Sequence, residues 1–157
     1  MQKITPFLWF DDQAEEAARF YTSIFKNASL GEVRRNGEAG AQPNGSVMTV
    51  TFTLEGQEFI ALNGGPHYQL TPAISLFVRC ATQQEVDALW DRLAEGGKPL
   101  RCGWVTDRYG LTWQIIPEAL GRMLQDPDPA KARRVMQAML TMVKLDIAAL
   151  QRAYEPV

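Results

Sequence analysis

The feature that most narrows the fold of this chain is a pattern written twice. Asp12-Gln13-Ala14-Glu15 has the spacing of a helix-capping box, with Asp in place of Ser or Thr. Ala17, Phe20, Tyr21 and Ile24 follow at the 3,4 interval of an amphipathic helix, so a helix is expected over residues 12–25. Thr82-Gln83-Gln84-Glu85 repeats the box 70 residues later, and Val86, Leu89, Trp90 and Leu93 repeat the stripe 69 residues after the first. An apolar run precedes each box, at residues 4–10 and 73–80, of the kind that makes a strand buried on both faces. Further strand-like runs follow: 28–35, 46–54 and 58–62 in the first half, 100–106 and 111–116 in the second. A period near 70 means a duplicated supersecondary unit rather than a solenoid. The expected fold class is therefore α+β, with two βαβββ modules (1–66 and 73–117) forming a cupped mixed sheet in a domain of residues 1–117. Residues 118–157 form a helical extension packed on that domain or at a dimer interface.

The second module closes in a hairpin, residues 102–117. Asp107-Arg108-Tyr109-Gly110 is its loop, with Gly110 able to take the left-handed conformation and Asp107 expected there on conformational grounds. Pro117, which lacks an N–H for the ladder, stops the second strand. Gln114 stands alone among apolar neighbours. A buried amide must find partners, so Gln114 is either a satisfied core residue or a group that meets a ligand.

Beyond Pro117 the pattern becomes helical. Asp128-Pro129 has the form of an N-cap followed by proline at N1. Ala132, Val135, Met136, Met139, Leu140 and Val143 make an apolar stripe, continued on either side of Asp146 by Leu145, Ile147, Leu150 and Tyr154. One or two helices are expected here, with the stripe used for core or dimer packing and Arg133, Arg134 and Lys144 on the solvated side.

Charge and composition bound the partners. The chain of 157 residues carries a formal net charge of −2, which points to neither a nucleic-acid nor an anionic-membrane partner. No apolar run approaches the roughly 20 residues of a membrane span. The N-terminal apolar run is interrupted by Asp11 and Asp12, unlike a signal peptide. Cys80 and Cys102 follow no metal spacing, so reduced thiols in a cytoplasmic protein are expected. Cys102 has no histidine near it in sequence to activate it, and His67, the sole histidine, falls in a loop.

Several short motifs, in order along nearly the whole chain, carry a resemblance. They are Pro6-Phe7-Leu8-Trp9-Phe10 with Ala17-Ala18-Arg19-Phe20-Tyr21, then Leu62-Asn63-Gly64-Gly65-Pro66 and Cys102-Gly103-Trp104. Tyr109-Gly110-Leu111-Thr112-Trp113-Gln114-Ile115 and the segments 138–140 and 145–150 complete them. The chain resembles the vicinal-oxygen-chelate superfamily of glyoxalase I, extradiol dioxygenases and bleomycin-resistance proteins. Within it, the chain is similar to the PhnB-like group often labelled 3-demethylubiquinone-9 3-methyltransferase-like.

That resemblance implies a four-ligand metal site whose positions fall on Thr5, Ala61, Ala73 and Gln114. Alanine cannot bind a metal and a threonine hydroxyl is a weak ligand for zinc, nickel or iron, so no metal and no cofactor are expected. The methyltransferase label finds no strand, glycine-rich turn and helix of the kind that binds S-adenosylmethionine on a doubly wound sheet. Side-chain alternation instead outlines a cleft: Thr5, Phe7 and Trp9, then Phe59, Ala61 and Asn63, then Ala73, Ser75 and Phe77, then Thr112, Gln114 and Ile116. Trp113 and Ile115 face the helices. The expected ligand residues are Thr5, Phe7, Trp9, Phe59, Asn63, Ser75, Phe77, Thr112 and Gln114, suited to a small, mostly apolar or aromatic molecule. The competing readings are a closed core filled by the same aromatics, a superfamily enzyme, and a module whose C-terminal helices dock a protein. The resemblance also implies a homodimer.

Overall fold

Each half of the chain builds one four-stranded sheet with a helix laid across one face. The computed structural model describes residues 2–156, and they divide into two units, with the boundary between Leu70 and Thr71. In the first, β1 (Phe7–Phe10) leads into α1 (Ala14–Ile24), followed by β2 (Ala28–Arg35), β3 (Val47–Leu54) and β4 (Gln57–Asn63). In the second, β5 (Ser75–Cys80), α2 (Gln83–Ala94), β6 (Lys98–Pro99), β7 (Trp104–Thr106) and β8 (Thr112–Pro117) repeat the series. The strand orders are β1-β4-β3-β2 and β5-β8-β7-β6, the same order with every label advanced by four. In both sheets the first strand runs parallel to the last, and the other pairs are antiparallel. The duplication read from the caps and stripes is thus a duplication of topology.

The two helix starts are built differently. Thr82 caps α2 as expected: its side chain accepts from Glu85 N at 3.1 Å, and Glu85 Oε2 reaches back to Ala81 N at 2.9 Å. At α1 the Asp12 box does not form. The residue before the helix is Gln13, with no side-chain cap, and Ala14 N is met instead by Asn63 Oδ1 at 2.7 Å. The orphan amide is satisfied from the neighbouring strand rather than from within the helix start.

The core of the first unit lies between α1 and the sheet. Ala14, Ala17, Ala18 and Tyr21 are buried on the helix, facing Val50, Phe52, Phe59 and Ala61. Phe52 and Phe59 stack with centroids 5.3 Å apart. In the second unit Val86, Leu89, Trp90 and Leu93 pack on the face that carries Val105, Trp113 and Ile115.

Two expectations for the second half are corrected. Residues 100–106 do not make one strand: β6 and β7 form their own small hairpin, pairing Lys98 with Thr106 and Pro99 with Val105. Its turn holds Cys102 at φ 60° and Gly103 at φ 84°, a left-handed pair that no strand can accommodate. The C-terminal segment forms three helices rather than one or two: α3 (Glu118–Leu124), α4 (Pro129–Met139) and α5 (Ile147–Tyr154). At seven residues α3 is too short to show a stripe in sequence. Asp128 does cap α4, with Pro129 at its first turn.

These helices enclose a further apolar cluster of Ile116, Leu120, Met123, Val135, Leu145 and Leu150. The chain between α4 and α5 is fastened to the β6–β7 turn, with Cys102 N donating to Met142 O at 2.9 Å and Gly103 N to Val143 O at 2.7 Å. From α2, the Gln83 amide brackets the start of α5, donating to Leu145 O at 3.0 Å and accepting from Ile147 N at 2.7 Å. Asp87 adds an ion pair to Lys144 at 3.0 Å. Its carboxyl is held below the usual range by the Gln83 hydrogen bond first and by Lys144 second. Among the described residues no helix is long and apolar enough to cross a membrane.

Candidate ligand-binding faces

In each sheet the helix covers one face, and the register decides which side chains lie on the other. In the first unit β1 pairs in parallel with β4, placing Phe7 beside Ile60 and Trp9 beside Leu62. Leu8 and Phe10 are buried under the helix, whereas Phe7 is 56% exposed. The open face therefore carries Phe7, Ile60 and Leu62, joined across β3 by Thr49 and Thr51, which pair with Leu62 and Ile60. These five side chains line a depression of about 390 Å³ together with Met48, Glu32 and Arg34. Glu32 and Arg34 form an ion pair at 3.2 Å, so the charge in this depression is internally balanced.

Phe59, Ala61 and Asn63 were expected beside Phe7 and lie on the opposite face. Phe59 is 5% exposed and Ala61 fully buried. Asn63 is a structural clamp, accepting from Ala14 N and donating from Nδ2 to Val47 O at 3.1 Å. Counting alternation within β4 cannot reveal its phase against β1, and a phase error of one residue exchanges the faces. Ile60 and Leu62, one step away, are the residues that the count missed.

Thr5 precedes β1 and donates to Glu58 Oε2 at 3.4 Å. Trp9 is drawn over the loop that follows β4: its Nε1 donates to Gly65 O at 2.9 Å, and its ring meets Tyr68 edge-on at 4.9 Å. The approach is so close that a Cβ on Gly64 would lie 2.4 Å from the indole. His67 follows in the same loop with its ring 4.4 Å from that of Tyr68, an aromatic contact in the loop expected for it.

In the second unit the registers Ser75 to Thr112 and Phe77 to Gln114 put these four residues on one face. Across β7, Thr106 pairs with Thr112 and Trp104 with Gln114. The open face thus has a row of hydroxyls (Thr106, Thr112, Ser75) beside a row in which Gln114 stands between Trp104 and Phe77. Gln114 Nε2 donates to Ser75 Oγ at 3.0 Å. Thr112, expected to meet a ligand, is instead fully buried, its hydroxyl satisfied 2.9 Å from that of Thr106, so on this row only Thr106 and Ser75 are partly exposed. Phe77 is 49% exposed. Arg79, next along β5, places its guanidinium 5.2 Å from the centre of the Phe77 ring. Ile116 is not open; it joins the C-terminal cluster. Trp104 and Arg79 were absent from the expected set, although the hairpin register about Asp107 and Gly110 is a signal that pairs Trp104 with Gln114.

The donor set does not fit a metal. The four implied positions provide one hydroxyl and one amide, and Ala61 points under α1 rather than to the open face. Among the described residues no group of three or more His, Cys, Asp or Glu could hold a metal ion, and no buried side-chain nitrogen or oxygen lacks a hydrogen-bond partner. The thiols offer little reactivity on the buried side. Cys80 is fully buried, and burial first, then Glu85 and Glu118, push its pKa up to about 12. Cys102 is half-buried in the left-handed turn.

Residues 2–116 match the family described as 3-demethylubiquinone-9 3-methyltransferase. Comparison with curated proteins finds no match to the chain. Among solved structures, the PhnB protein from Bacillus cereus is 39% identical, with 74% of this chain and 99% of that one covered at a TM-score of 0.68. Protein PA1353 from Pseudomonas aeruginosa is 21% identical, with 75% and 98% covered at a TM-score of 0.63. A glyoxalase/bleomycin resistance protein from Albidiferax ferrireducens T118 is 13% identical, with 69% and 92% covered at a TM-score of 0.46. The repeated βαβββ topology and the match over both modules lead to one conclusion: the chain belongs to the 3-demethylubiquinone-9 3-methyltransferase family of PhnB-like proteins.

Proposed function

We propose that the protein binds a small, mostly apolar or aromatic molecule on its open sheet faces, without a metal. The observation that carries this reading is the depression of about 390 Å³ on the first sheet. Its Phe7, Ile60 and Leu62 supply apolar contact, and Thr49 and Thr51 supply hydroxyls that orient a ligand. Small-molecule sites are commonly of this size and combine an apolar lining with few polar groups. The volume holds a molecule of one or two rings. The internally paired Glu32 and Arg34 favour a neutral body there over an ion.

The methyltransferase activity in the family's description is not adopted for this chain. Asn63-Gly64-Gly65-Pro66 leads through a loop to β5 rather than into a helix, so the turn that would cradle a nucleoside cofactor does not follow from it. The free thiols of Cys80 and Cys102 suit a cytoplasmic protein. Met136, Leu140 and Val143 are 39%, 52% and 47% exposed on the C-terminal helical segment, which supports pairing of two copies. Light scattering would give twice the chain mass if so.

A panel of neutral one- and two-ring aromatics, screened by ligand-observed NMR, tests the function. Binding that is lost in Ile60→Glu and retained in Asn63→Asp, which alters the other face, is the expected result. A panel with no binder, or binders indifferent both to Ile60→Glu on the first sheet and to Phe77→Glu on the second, overturns it.

A further inference from the structure

The two open faces differ in charge: the register adds Glu58 to the first and Lys98 to the second, and one difference falls at corresponding positions of the first strand of each module. Module 2 carries Arg79 where module 1, 70 residues earlier, carries Trp9. Arg34 on the first sheet is paired with Glu32. Arg79 is exposed and, among the described residues, has no carboxylate partner; its guanidinium lies 5.2 Å from the centre of the Phe77 ring. The ring covers part of the cation while leaving its N–H groups undirected. A guanidinium in that state offers a planar fork that matches a carboxylate, and the adjoining aromatic surface favours an anion attached to a flat body.

Polar groups stand at the other end of the same strip. Ser75, Phe77 and Arg79 alternate along one face of β5, so Ser75 and Arg79 are about 13 Å apart at strand rise. Gln114 donates to Ser75 Oγ, which leaves the serine proton and Gln114 Oε1 without a protein partner among the described residues. The strip therefore reads, in order, as a cation, an aromatic flanked through Gln114 by Trp104, and a hydroxyl–amide pair.

We infer that the second sheet's open face binds a flat aromatic carboxylate. Its carboxylate sits on Arg79, its rings lie along Phe77 and Gln114, and a polar substituent at the far end meets the Ser75–Gln114 pair. This deepens the proposed function and rests on it, since it names the ligand class for one of the open faces.

The test uses the full chain and four probes: 2-naphthoate, 2-naphthamide, 6-hydroxy-2-naphthoate and 6-hydroxy-2-naphthamide, titrated by calorimetry or NMR. The expected result is at least a tenfold preference for each acid over its amide. That preference falls to within twofold in Arg79→Gln and is partly kept in Arg79→Lys. The 6-hydroxy group adds affinity in the native protein and none in Gln114→Ala. Arg79 is exposed, so these variants fold, and circular dichroism confirms it. Acid and amide bound alike, or a preference that survives Arg79→Gln, overturns the anion site and leaves the apolar-ligand reading standing. Failure of all four probes overturns it as well, and the neutral panel with Ile60→Glu and Phe77→Glu then decides the broader reading separately.

Discussion

The indole of Trp113 donates from Nε1 to Oδ2 of Asp107 at 2.9 Å, across the turn that joins β7 to β8. The other oxygen of the same carboxylate accepts from Tyr109 N at 2.8 Å and Leu111 N at 3.1 Å. Asp107 is 3% exposed and Trp113 1%. One side chain therefore shapes the loop and satisfies the polar edge of the largest fully buried side chain in the second unit. A turn aspartate needs only the first role; the second makes it a core residue. Asp107→Asn keeps a carbonyl oxygen for the backbone but turns an N–H toward the indole N–H. A loss of about 2–3 kcal/mol is expected, the scale of a hydrogen bond to a charged group. Urea unfolding followed by tryptophan fluorescence measures it, and an unchanged midpoint would contradict the arrangement.

Asn63 joins α1 to the sheet through both ends of its amide. Asn63→Ala removes the acceptor of Ala14 N and the donor to Val47 O, and is expected to destabilise the protein by about 1–3 kcal/mol. Asn63→Asp keeps the acceptor at the helix start and should recover part of that loss. Equal destabilisation by both substitutions in chemical denaturation would show that the contact to Ala14 N contributes nothing.

Gly97 is the glycine with the least room in the backbone around it. A Cβ there would lie 2.3 Å from Thr106 O and 3.0 Å from Leu93 O, both backbone atoms that cannot rotate away. Gly97→Ala should cost about 1–3 kcal/mol by overpacking. Gly37→Ala, where nothing lies within 4 Å, should stay within about 0.5 kcal/mol of the parent. Thermal melts of the pair give the comparison, and similar midpoints would refute it.

The hydroxyl of Tyr154 donates to Asp126 Oδ2, tying α5 to the segment between α3 and α4. That bond lowers the Asp126 pKa from 3.8 and raises the Tyr154 pKa from 10.0. The signs set the window. The Asp126 contribution is present above 3.8 and is lost as pH falls through its lower folded value. The Tyr154 contribution is present below 10.0 and is lost as pH rises through its higher folded value. Both groups are solvent-facing, so the effect is modest. Tyr154→Phe should flatten the stability profile at both ends while changing its centre least. A uniform offset across pH would speak against the linkage.

The two thiols should separate cleanly. Cys80, with its pKa pushed up to about 12 by burial, stays protonated and shielded at neutral pH. Alkylation of the native protein with iodoacetamide should modify Cys102 first, and Cys80 only after denaturation. Mass spectrometry of peptides reads this, and early labelling of Cys80 would show that its site opens in the native state.

Helix faces and strand positions could be read from sequence because their signals are local. Val86, Leu89, Trp90 and Leu93 repeat at the helical interval whatever they pack against, and all four are buried on α2. Thr82 caps because its hydroxyl needs only the amide three residues on. Asp12 shows the limit: its spacing was right, yet Asn63, 49 residues beyond Ala14, supplies the bond. A competing partner from another strand leaves no mark near the helix start.

The candidate faces divide in the same way. The identities of β1 and β4, and the alternation inside each, follow from residue type. Which residue of β4 stands beside Phe7 is a matter of hydrogen-bond register, and the register placed Ile60 there and sent Phe59 under α1. In the second unit the tight turn about Asp107 and Gly110 carries the register of β7 with β8 in sequence, setting Trp104 beside Gln114, whereas the parallel pairing of β5 with β8 puts Ser75 and Phe77 on the face of Thr112 and Gln114. The sequence by itself thus determined the duplicated βαβββ plan, because caps, stripes and turns act over a few residues. Tertiary structure decided the phase of β4 and the clamp at Asn63, because each depends on a contact between elements distant in sequence that local periodicity does not encode.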